Sequence, residues 1–206
     1  MRLVQFSVVA LLAALGASRL HAQSTPTRPF GLRMGTPLAT VRGELGGTQP
    51  MSSFNGWFLL QKVPSPSGPF RSFQLFVSPV SGLCSIVAIT PNIESDPAGT
   101  EVRRAYSAVR DSLDAVYGKS SLLESVVRNP LYTGADEWML SIHYRERTYR
   151  AIWNMSSGRF PSELSQVSLS LEHGSSESAA QLVLSVTRPD QRGCHQEVMA
   201  AERASP

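Results

Sequence analysis

Three histidines are the side chains best suited to metal binding or acid–base catalysis beyond the amino-terminal segment of this sequence. His143, His173 and His195 lie far apart in the chain, and no H-E-x-x-H motif or close histidine pair accompanies them. Cys194 and Glu197 flank His195, but a cysteine that is oxidised to a disulfide cannot serve as a metal ligand. We therefore predict no metal site and no cofactor.

The serines of the chain show no motif for nucleophilic catalysis. Neither G-x-S-x-G nor S-x-x-K is present, and most serines fall at turns or on the outward side of predicted strands. A Ser-His-Asp triad assembled from distant residues stays open, because triads are defined by geometry and not by spacing. In that alternative the protein is a small secreted hydrolase with His143 or His173 as the base. Our main prediction is a non-enzymatic protein with no catalytic residue.

Two further patterns resemble ligand-binding loops but lack essential positions. Residues 118–120 (GKS) resemble the end of a P-loop, yet Leu113 stands where the first glycine is needed, and the triplet follows a helix instead of opening one. Residues 92–96 alternate oxygen ligands as a calcium loop does, but Pro97 replaces its glycine and Arg103 replaces its final glutamate. The sequence thus predicts neither nucleotide nor calcium binding.

Arginines near position 147 are the strongest candidates for contact with a partner. Arg145, Arg147 and Arg150 cluster where we predict a hairpin turn, and the predicted register places His143 beside Arg150 on the polar face. Such a patch suits an acidic protein or a polyanionic envelope polymer. Alternatively, it is a charged edge that discourages aggregation between strands. Together with the aromatic Trp57, the residues His143, Arg145 and Arg150 form our predicted binding site.

The amino terminus has the three parts of a secretory signal peptide over residues 1–22. Arg2 supplies a positive charge, residues 6–17 form a 12-residue apolar core, and Ala22 is a small residue at the cleavage edge. No stretch reaches the roughly 20 apolar residues of a membrane helix, and no lipid-anchoring cysteine follows the signal. We expect an exported protein, periplasmic or extracellular, with no integral membrane segment after the signal is removed.

The chain carries too little net charge for a nucleic-acid binder. The full sequence has 19 basic and 16 acidic residues, and removal of Arg2 and Arg19 with the signal leaves a net charge of about +1 at neutral pH. Nucleic-acid-binding domains carry a strong basic patch or stripe instead. We therefore predict no nucleic-acid partner, and a protein or an envelope component is the expected class of partner.

Cys84 and Cys194 are the two cysteines of the chain. An even number of cysteines in an exported protein favours a disulfide. The bond would close a loop of about 110 residues and stabilise the fold by roughly 4 to 5 kcal/mol. A redox or metal pair is the alternative, but the sequence contains no C-x-x-C motif and no four-ligand set.

Helix signals occur at three places in the chain. Thr36-Pro37 suits the N-cap and first position of a helix that ends at residues 46–47. The clearest helix spans residues 101–117, where apolar residues recur at i, i+3 and i+4 spacing and Gly118 can end the last turn. A short helix near Asp190 completes the set.

Strand-like runs of aromatic, aliphatic and β-branched residues occupy most of the remaining chain. The predicted strands span residues 57–63, 70–77, 83–90, 138–145, 148–155, 167–171 and 182–186. We predict that 138–145 and 148–155 form a hairpin around residues 146–147, with alternate residues facing the core. The cross-strand pairs of that hairpin would be Tyr144 with Tyr149, Ile142 with Ala151 and Leu140 with Trp153.

This element order predicts an α+β protein in which helices pack on one face of an antiparallel sheet. After the signal, residues 23–29 are expected to form a flexible leader and residues 30–206 a single domain. Both major helices end at glycine and lead into strands. That repetition suggests a duplicated helix-plus-meander unit, with pseudo-repeats at 30–95 and 96–190.

The segment F-G-L-R-M-G-T-P at residues 30–37, followed by Val41 and Leu45-Gly46, is similar to the opening of small bacterial envelope modules. It resembles the G-x-x-x-G-[ST]-x-x-x-x-V pattern of the small lipoprotein of the β-barrel assembly machinery. The helix-then-meander order is also similar to the tandem modules of β-lactamase inhibitor proteins. The match covers residues 30–46, and no acylatable cysteine follows the signal as it does in those lipoproteins. The resemblance implies an exported protein-binding module; over more of its length the chain resembles secreted bacterial proteins in general.

Overall fold

A computed structural model of the chain describes residues 27–46, 50 and 52–204. The predicted signal peptide, residues 1–22, lies outside the described residues, as does the first part of the predicted leader. Arg28 of that leader forms a 2.9 Å ion pair with Glu44, and Pro29 is buried. The described helices are α1 (Leu38–Glu44), α2 (Thr100–Tyr117), α3 (Trp138–His143) and α4 (Gln191–Ala204). The described strands are β1 (Ser52–Phe54), β2 (Trp57–Leu60), β3 (Ser72–Ser78), β4 (Gly82–Ile89), β5 (Ile93–Glu94), β6 (Ser121–Val126), β7 (Arg147–Trp153), β8 (Gln166–His173) and β9 (Ala179–Thr187).

The described strands form one antiparallel sheet, so the predicted α+β class is confirmed. Eight strands follow the order β1-β2-β3-β4-β9-β8-β7-β6, and β5 pairs with β9 next to the end of β4. Strands β1 to β4 therefore follow one another from one edge of the sheet to its centre, and β6 to β9 do the same from the other edge. The two sets are joined where β4 pairs with β9. A helix precedes each set of four, with α3 inserted in the second. A duplicated helix-plus-meander unit would produce this order, and the duplication stays a hypothesis.

The sheet has one face under helices and one face that is largely free of them. Alternate residues such as Leu169, opposite Leu184 and Ala151, are buried together with the apolar stripes of α1, α2 and α3. On α2, the buried Tyr106 donates a 3.1 Å hydrogen bond to the carbonyl of Leu169. We call the opposite side of the sheet the open face.

Helix α2 forms as its periodicity predicts and begins at Thr100, one residue before the predicted start. Gly99 occupies the N-cap with a φ of 77°, and a Cβ there would lie 2.3 Å from the Trp138 ring. Asp96 accepts hydrogen bonds from the Thr100 amide at 2.8 Å and its hydroxyl at 2.7 Å, and these bonds lower the pKa of Asp96. The first helix instead starts one residue late, because Pro37 rather than Thr36 is its N-cap.

The predicted hairpin at 138–155 is wrong in its first strand. Residues 138–143 form α3, and β7 pairs with β6 and β8 instead. The apolar residues of this segment fit a period of two as well as a helix, but the structure buries Trp138, Met139 and Ile142, which is a helical spacing. The Glu137 carboxylate accepts amide hydrogen bonds from residues 133 and 134 and so supports the turn into α3. The predicted pairs Tyr144–Tyr149, Ile142–Ala151 and Leu140–Trp153 therefore do not form.

Helix α4 packs on the open face of β3 and β4, where the predicted disulfide anchors it. Cys84 in β4 and Cys194 in α4 are joined with their Cα atoms 6.5 Å apart, across a sequence separation of 110 residues. Phe76 and Val198 are buried beside this bond, and Trp57 packs against them. The disulfide is compatible with an exported protein. In the described part of the chain, no helix combines the length and the hydrophobicity that spanning a bilayer would require.

Candidate binding surface

The structure distributes the four predicted binding residues over three places. His143 ends α3 and Arg145 follows it, while Arg150 lies in β7 on the open face and Trp57 lies in β2. The predicted contact between His143 and Arg150 is wrong, because it depended on the hairpin register that α3 replaces. His143 instead has its ring centroid 5.8 Å from that of His173, on the helix side of the sheet.

Arg150 lies in a shallow trough on the part of the open face that α4 leaves uncovered. Residues from β4, β7, β8 and β9 line this open-face trough, together with Ser165 and Gln191, around a volume of about 390 Å³. The lining residues are Val87, Arg150, Ser165, Gln166, Ser168, Ser170, Val183, Ser185, Thr187 and Gln191.

The trough follows directly from strand register. Arg150 is directly opposite Ser170, Ser168 is opposite Ser185, and Gln166 is opposite Thr187, so their side chains share one face. Hydroxyl and amide groups therefore form a ladder beside a single cation. Arg150 is the one charged residue among those that line the trough.

The guanidinium of Arg150 has unused hydrogen-bonding capacity. Arg150 is half-buried and forms no ion pair with the described residues, and its Nε atom is buried without a hydrogen-bond partner among them. The Oγ atom of Ser85, which lies opposite Thr187 at the edge of the trough, is buried and without a partner in the same way. Desolvating a donor without a partner costs about 1 to 3 kcal/mol. The two Nη atoms of Arg150 are not among the buried atoms and form no hydrogen bond with the described residues, so they are the donors that an acceptor in the trough would reach.

A second group of polar and aromatic side chains lies near the end of α3. The Arg145 Nη2 atom is 2.8 Å from His173 Nε2, and the rings of Tyr132 and Tyr144 stack at 5.1 Å. The Tyr144 hydroxyl donates a 2.6 Å hydrogen bond to Glu177, which raises the pKa of Tyr144. This group is exposed at Tyr144 and Arg145.

The contacts of His173 define its hydrogen-bonding role. A guanidinium only donates, so Nε2 of His173 accepts from Arg145, and Nδ1, at 3.2 Å from the Gly174 carbonyl, carries the proton. The other two histidines differ: Nδ1 of His143 is buried without a partner, and His195 stacks on Phe76 at 4.3 Å. Within the described residues, no histidine is hydrogen bonded to a serine or a carboxylate. No group of three or more His, Cys, Asp or Glu side chains there could hold a metal ion.

Trp57 contributes to packing under α4. Its ring centroid is 4.9 Å from that of Phe76, which belongs to the buried cluster around the disulfide. Phe54, directly opposite Trp57 in β1, is exposed instead. The aromatic surface at this end of the sheet therefore includes Phe54 and the half-buried edge of Trp57.

Of the four predicted binding residues, Arg150 is the one that lines the trough, and its role in binding stays a prediction. The serines at 168, 170 and 185 alternate with buried aliphatic residues, and that alternation was the available signal for a polar strand face. The sequence did not reveal that β8 and β9 are neighbours of β7. In comparisons with known proteins, the chain matches no family model, no curated protein and no solved structure.

Proposed function

We propose that this protein is an exported, non-enzymatic binding module that docks an acidic group of a partner in the open-face trough. The partner is a protein or a polymer of the cell envelope that presents carboxylate or phosphate groups. The periplasm and the extracellular space are both oxidising compartments in which the Cys84–Cys194 bond would persist.

The half-buried guanidinium of Arg150, without a partner among the described residues, is the observation that carries this proposal. A guanidinium matches carboxylate and phosphate oxygens with two parallel hydrogen bonds. The hydroxyls of Ser168 and Ser185 line the same trough, where they can accept from or donate to a polar ligand, while the Ser170 hydroxyl donates a 3.2 Å hydrogen bond to Glu172. Hydrogen bonds to charged groups contribute about 1.5 to 3 kcal/mol each, enough to make one arginine decisive for binding.

A small secreted hydrolase is the alternative, and the histidine contacts support it less well. His173 uses Nε2 to accept from Arg145, which occupies the atom that a general base would need. A serine or carboxylate within hydrogen-bond reach of a histidine would favour the hydrolase. The nearest partners of His173 are instead an arginine and a backbone carbonyl.

Capture experiments with Arg150→Gln test the proposed function. We expect the oxidised protein to retain acidic partners from envelope extracts, and the variant to bind them at least tenfold more weakly, because the loss of even one charged hydrogen bond of about 1.5 kcal/mol lowers the affinity roughly tenfold. Mass spectrometry identifies the partner, and titration calorimetry with the purified partner measures the affinity.

Arg104→Gln is the matched control, because Arg104 is an exposed arginine on α2, remote from the open face. The control variant should bind as the wild type does, and both variants should keep the wild-type melting temperature. Equal retention by Arg150→Gln and wild type would contradict the proposed site.

A further inference from the structure

The edge strand β6 exposes both its backbone and its apolar side chains. It is the last strand in the order of the sheet, and all six of its residues are exposed. Strand β7 pairs with one side of β6, and no strand among the described residues pairs with the other. The opposite edge of the sheet, β1, has only three residues, and short edge strands are a common protection against association.

The apolar side chains of this edge lie on both faces of the sheet. Leu122, Leu123, Val126 and Val127 are each between 42 and 48% exposed, and Leu131 is exposed nearby. Leu122 and Val126 share one face, and Leu123 lies on the other. Residues 121–126 contain no proline and no lysine, the residues that usually blunt an edge strand. Glu124 is the one charged residue of the strand, so charge protects this edge only weakly.

The backbone of β6 presents regularly spaced donors and acceptors outward. The Val127 amide donates to the Glu146 carbonyl at 2.8 Å, toward β7. Because hydrogen-bonding direction alternates along a strand, the amides and carbonyls of Leu122, Glu124 and Val126 point away from β7. Three residues on each chain can thus pair with a further strand.

We propose that β6 pairs antiparallel with β6 of a second copy of this chain, about a twofold axis perpendicular to the sheet. With this axis, the open faces of the two copies lie on the same side of the joined sheet. Two residues that lie directly opposite each other must therefore have side chains on the same face. Leu123 then lies opposite Leu123 of the partner, and Leu122 lies opposite Glu124. Five residues of each strand, 121–125, overlap in this register, and Leu122 and Glu124 are the two outward-pointing residues of each chain that pair within it.

The charge of Glu124 favours this register over the neighbouring registers of the two β6 strands. A shift of one position along the allowed series would place Glu124 directly opposite Glu124 of the partner, and like charges in that position destabilise a sheet. Shifts in the other direction or farther along shorten the overlap of the two β6 strands. In the proposed register each Glu124 keeps its 2.6 Å ion pair with Arg147 of its own chain.

A second copy suits this edge better than an unrelated extended peptide does. The segment S-L-L-E-S at residues 121–125 pairs with itself so that serine meets serine at both ends and leucine meets leucine at the centre. The twofold axis also places both open-face troughs on the same side of the joined sheet. If the proposed function holds, the dimer is bivalent toward a repeating acidic partner, and two linked sites raise the overall avidity.

Cysteine cross-linking tests both the dimer and its register. In a non-hydrogen-bonded pair the two Cα atoms lie about 4.5 Å apart, within the range of a disulfide. Leu123→Cys should therefore form a covalent dimer on mild oxidation, seen on a non-reducing gel. Ser121→Cys should not, because its opposite residue is Ser125 of the partner and two copies of position 121 are far apart.

Sedimentation equilibrium measures the assembly without a cross-link. The wild type should have twice the mass of the chain, and Leu123→Lys should have the mass of one chain, because it places two ammonium groups together at the axis. Val80→Lys changes an exposed valine in the β3–β4 turn and should remain dimeric. A monomeric wild type, or equal cross-linking at positions 121 and 123, would overturn the proposal. Partner capture by the wild type is measured separately: a monomeric wild type that still retains acidic partners would overturn the dimer and leave the proposed function standing.

Discussion

Arg145 has a backbone conformation that glycine adopts more easily than arginine does. Its φ is 59°, and its amide donates to the Ile142 carbonyl at 3.0 Å to close the last turn of α3. For a residue with a Cβ, the left-handed conformation costs roughly 1 to 2 kcal/mol. The hydrogen bond from the guanidinium to His173 offsets part of that cost. At this position the backbone conformation therefore destabilises the fold, and the side chain stabilises it.

Comparison of Arg145→Gly with Arg145→Ala isolates the backbone cost. Both variants lose the guanidinium, but only alanine keeps the Cβ that disfavours a positive φ. We expect the glycine variant to have a free energy of unfolding about 1 kcal/mol higher than that of the alanine variant. Urea denaturation followed by circular dichroism measures this difference.

At an ordinary helical position, the protein with alanine should have a higher free energy of unfolding than the protein with glycine. Ala108 is exposed in the middle of α2, so Ala108→Gly should lower the free energy of unfolding by about 1 kcal/mol. If Arg145→Ala and Arg145→Gly had the same free energy of unfolding, this would contradict a left-handed backbone conformation at position 145.

Among the elements, those with a clear period or a cap could be predicted, and α3 and β6 could not. The stripe of α2 repeats over more than four turns, so its helical period is unambiguous. Residues 138–144 are too short for that test, and their burial is decided by contacts with the ring of Trp138 and by the Glu137 turn. Strand β6 lacks an alternation of apolar and polar residues because neither of its faces is buried.

The candidate site was predictable at one residue only. Arg150 follows from its polar position in β7, while its neighbours follow from the pairing of β7 with β8 and of β8 with β9. Those pairings depend on the whole sheet order, which local sequence patterns do not contain. Local patterns therefore predict the polar position of Arg150 but not the hydroxyl ladder beside it.

Helix α4 is attached to the β3–β4 turn through the carboxylate of Glu197. This carboxylate accepts hydrogen bonds from the Ser81 amide at 3.0 Å, from the Ser81 hydroxyl at 2.8 Å and from the Ser78 hydroxyl. These bonds, led by that of Ser78, lower the pKa of Glu197 below its ordinary value of 4.5. The ionised form is therefore the one that the folded protein stabilises.

Glu197 should make the stability of the protein depend on pH in the acid range. Because its pKa is lower in the folded state, its contribution is complete above the ordinary value and is lost as pH falls through the folded value. We expect the difference in melting temperature between wild type and Glu197→Gln to be largest near pH 6 and to shrink toward pH 3. Differential scanning calorimetry at several pH values measures this.

Glu202→Gln is the control, because Glu202 is an exposed carboxylate in the same helix. Its melting temperature should follow that of the wild type at each pH. A constant offset between wild type and Glu197→Gln across the range would show that the carboxylate does not titrate with folding.

At the scale of the whole molecule, α4 divides the open face into two parts. The helix covers β3 and β4, where Phe76, Cys84 and Val198 are buried, and leaves β7, β8 and most of β9 uncovered. An antiparallel sheet commonly has one solvated face, so the trough needs no special fold. The position of α4 decides which half of that face is available to a partner, and the disulfide holds α4 in this position.

Removal of the disulfide should destabilise the whole fold, because the bond joins the central strand β4 to the last helix. A cross-link that closes a loop of this length restricts the unfolded chain and stabilises the native state by about 4 to 5 kcal/mol. We expect the double variant Cys84→Ala, Cys194→Ala to lose about that much free energy of unfolding in urea. Wild type reduced with dithiothreitol should unfold at nearly the same urea concentration as the variant does, whereas the oxidised wild type should unfold at a much higher one. A variant as stable as the oxidised protein would mean that the noncovalent contacts of α4, such as those of His195, Glu197 and Val198, are enough to hold it in place.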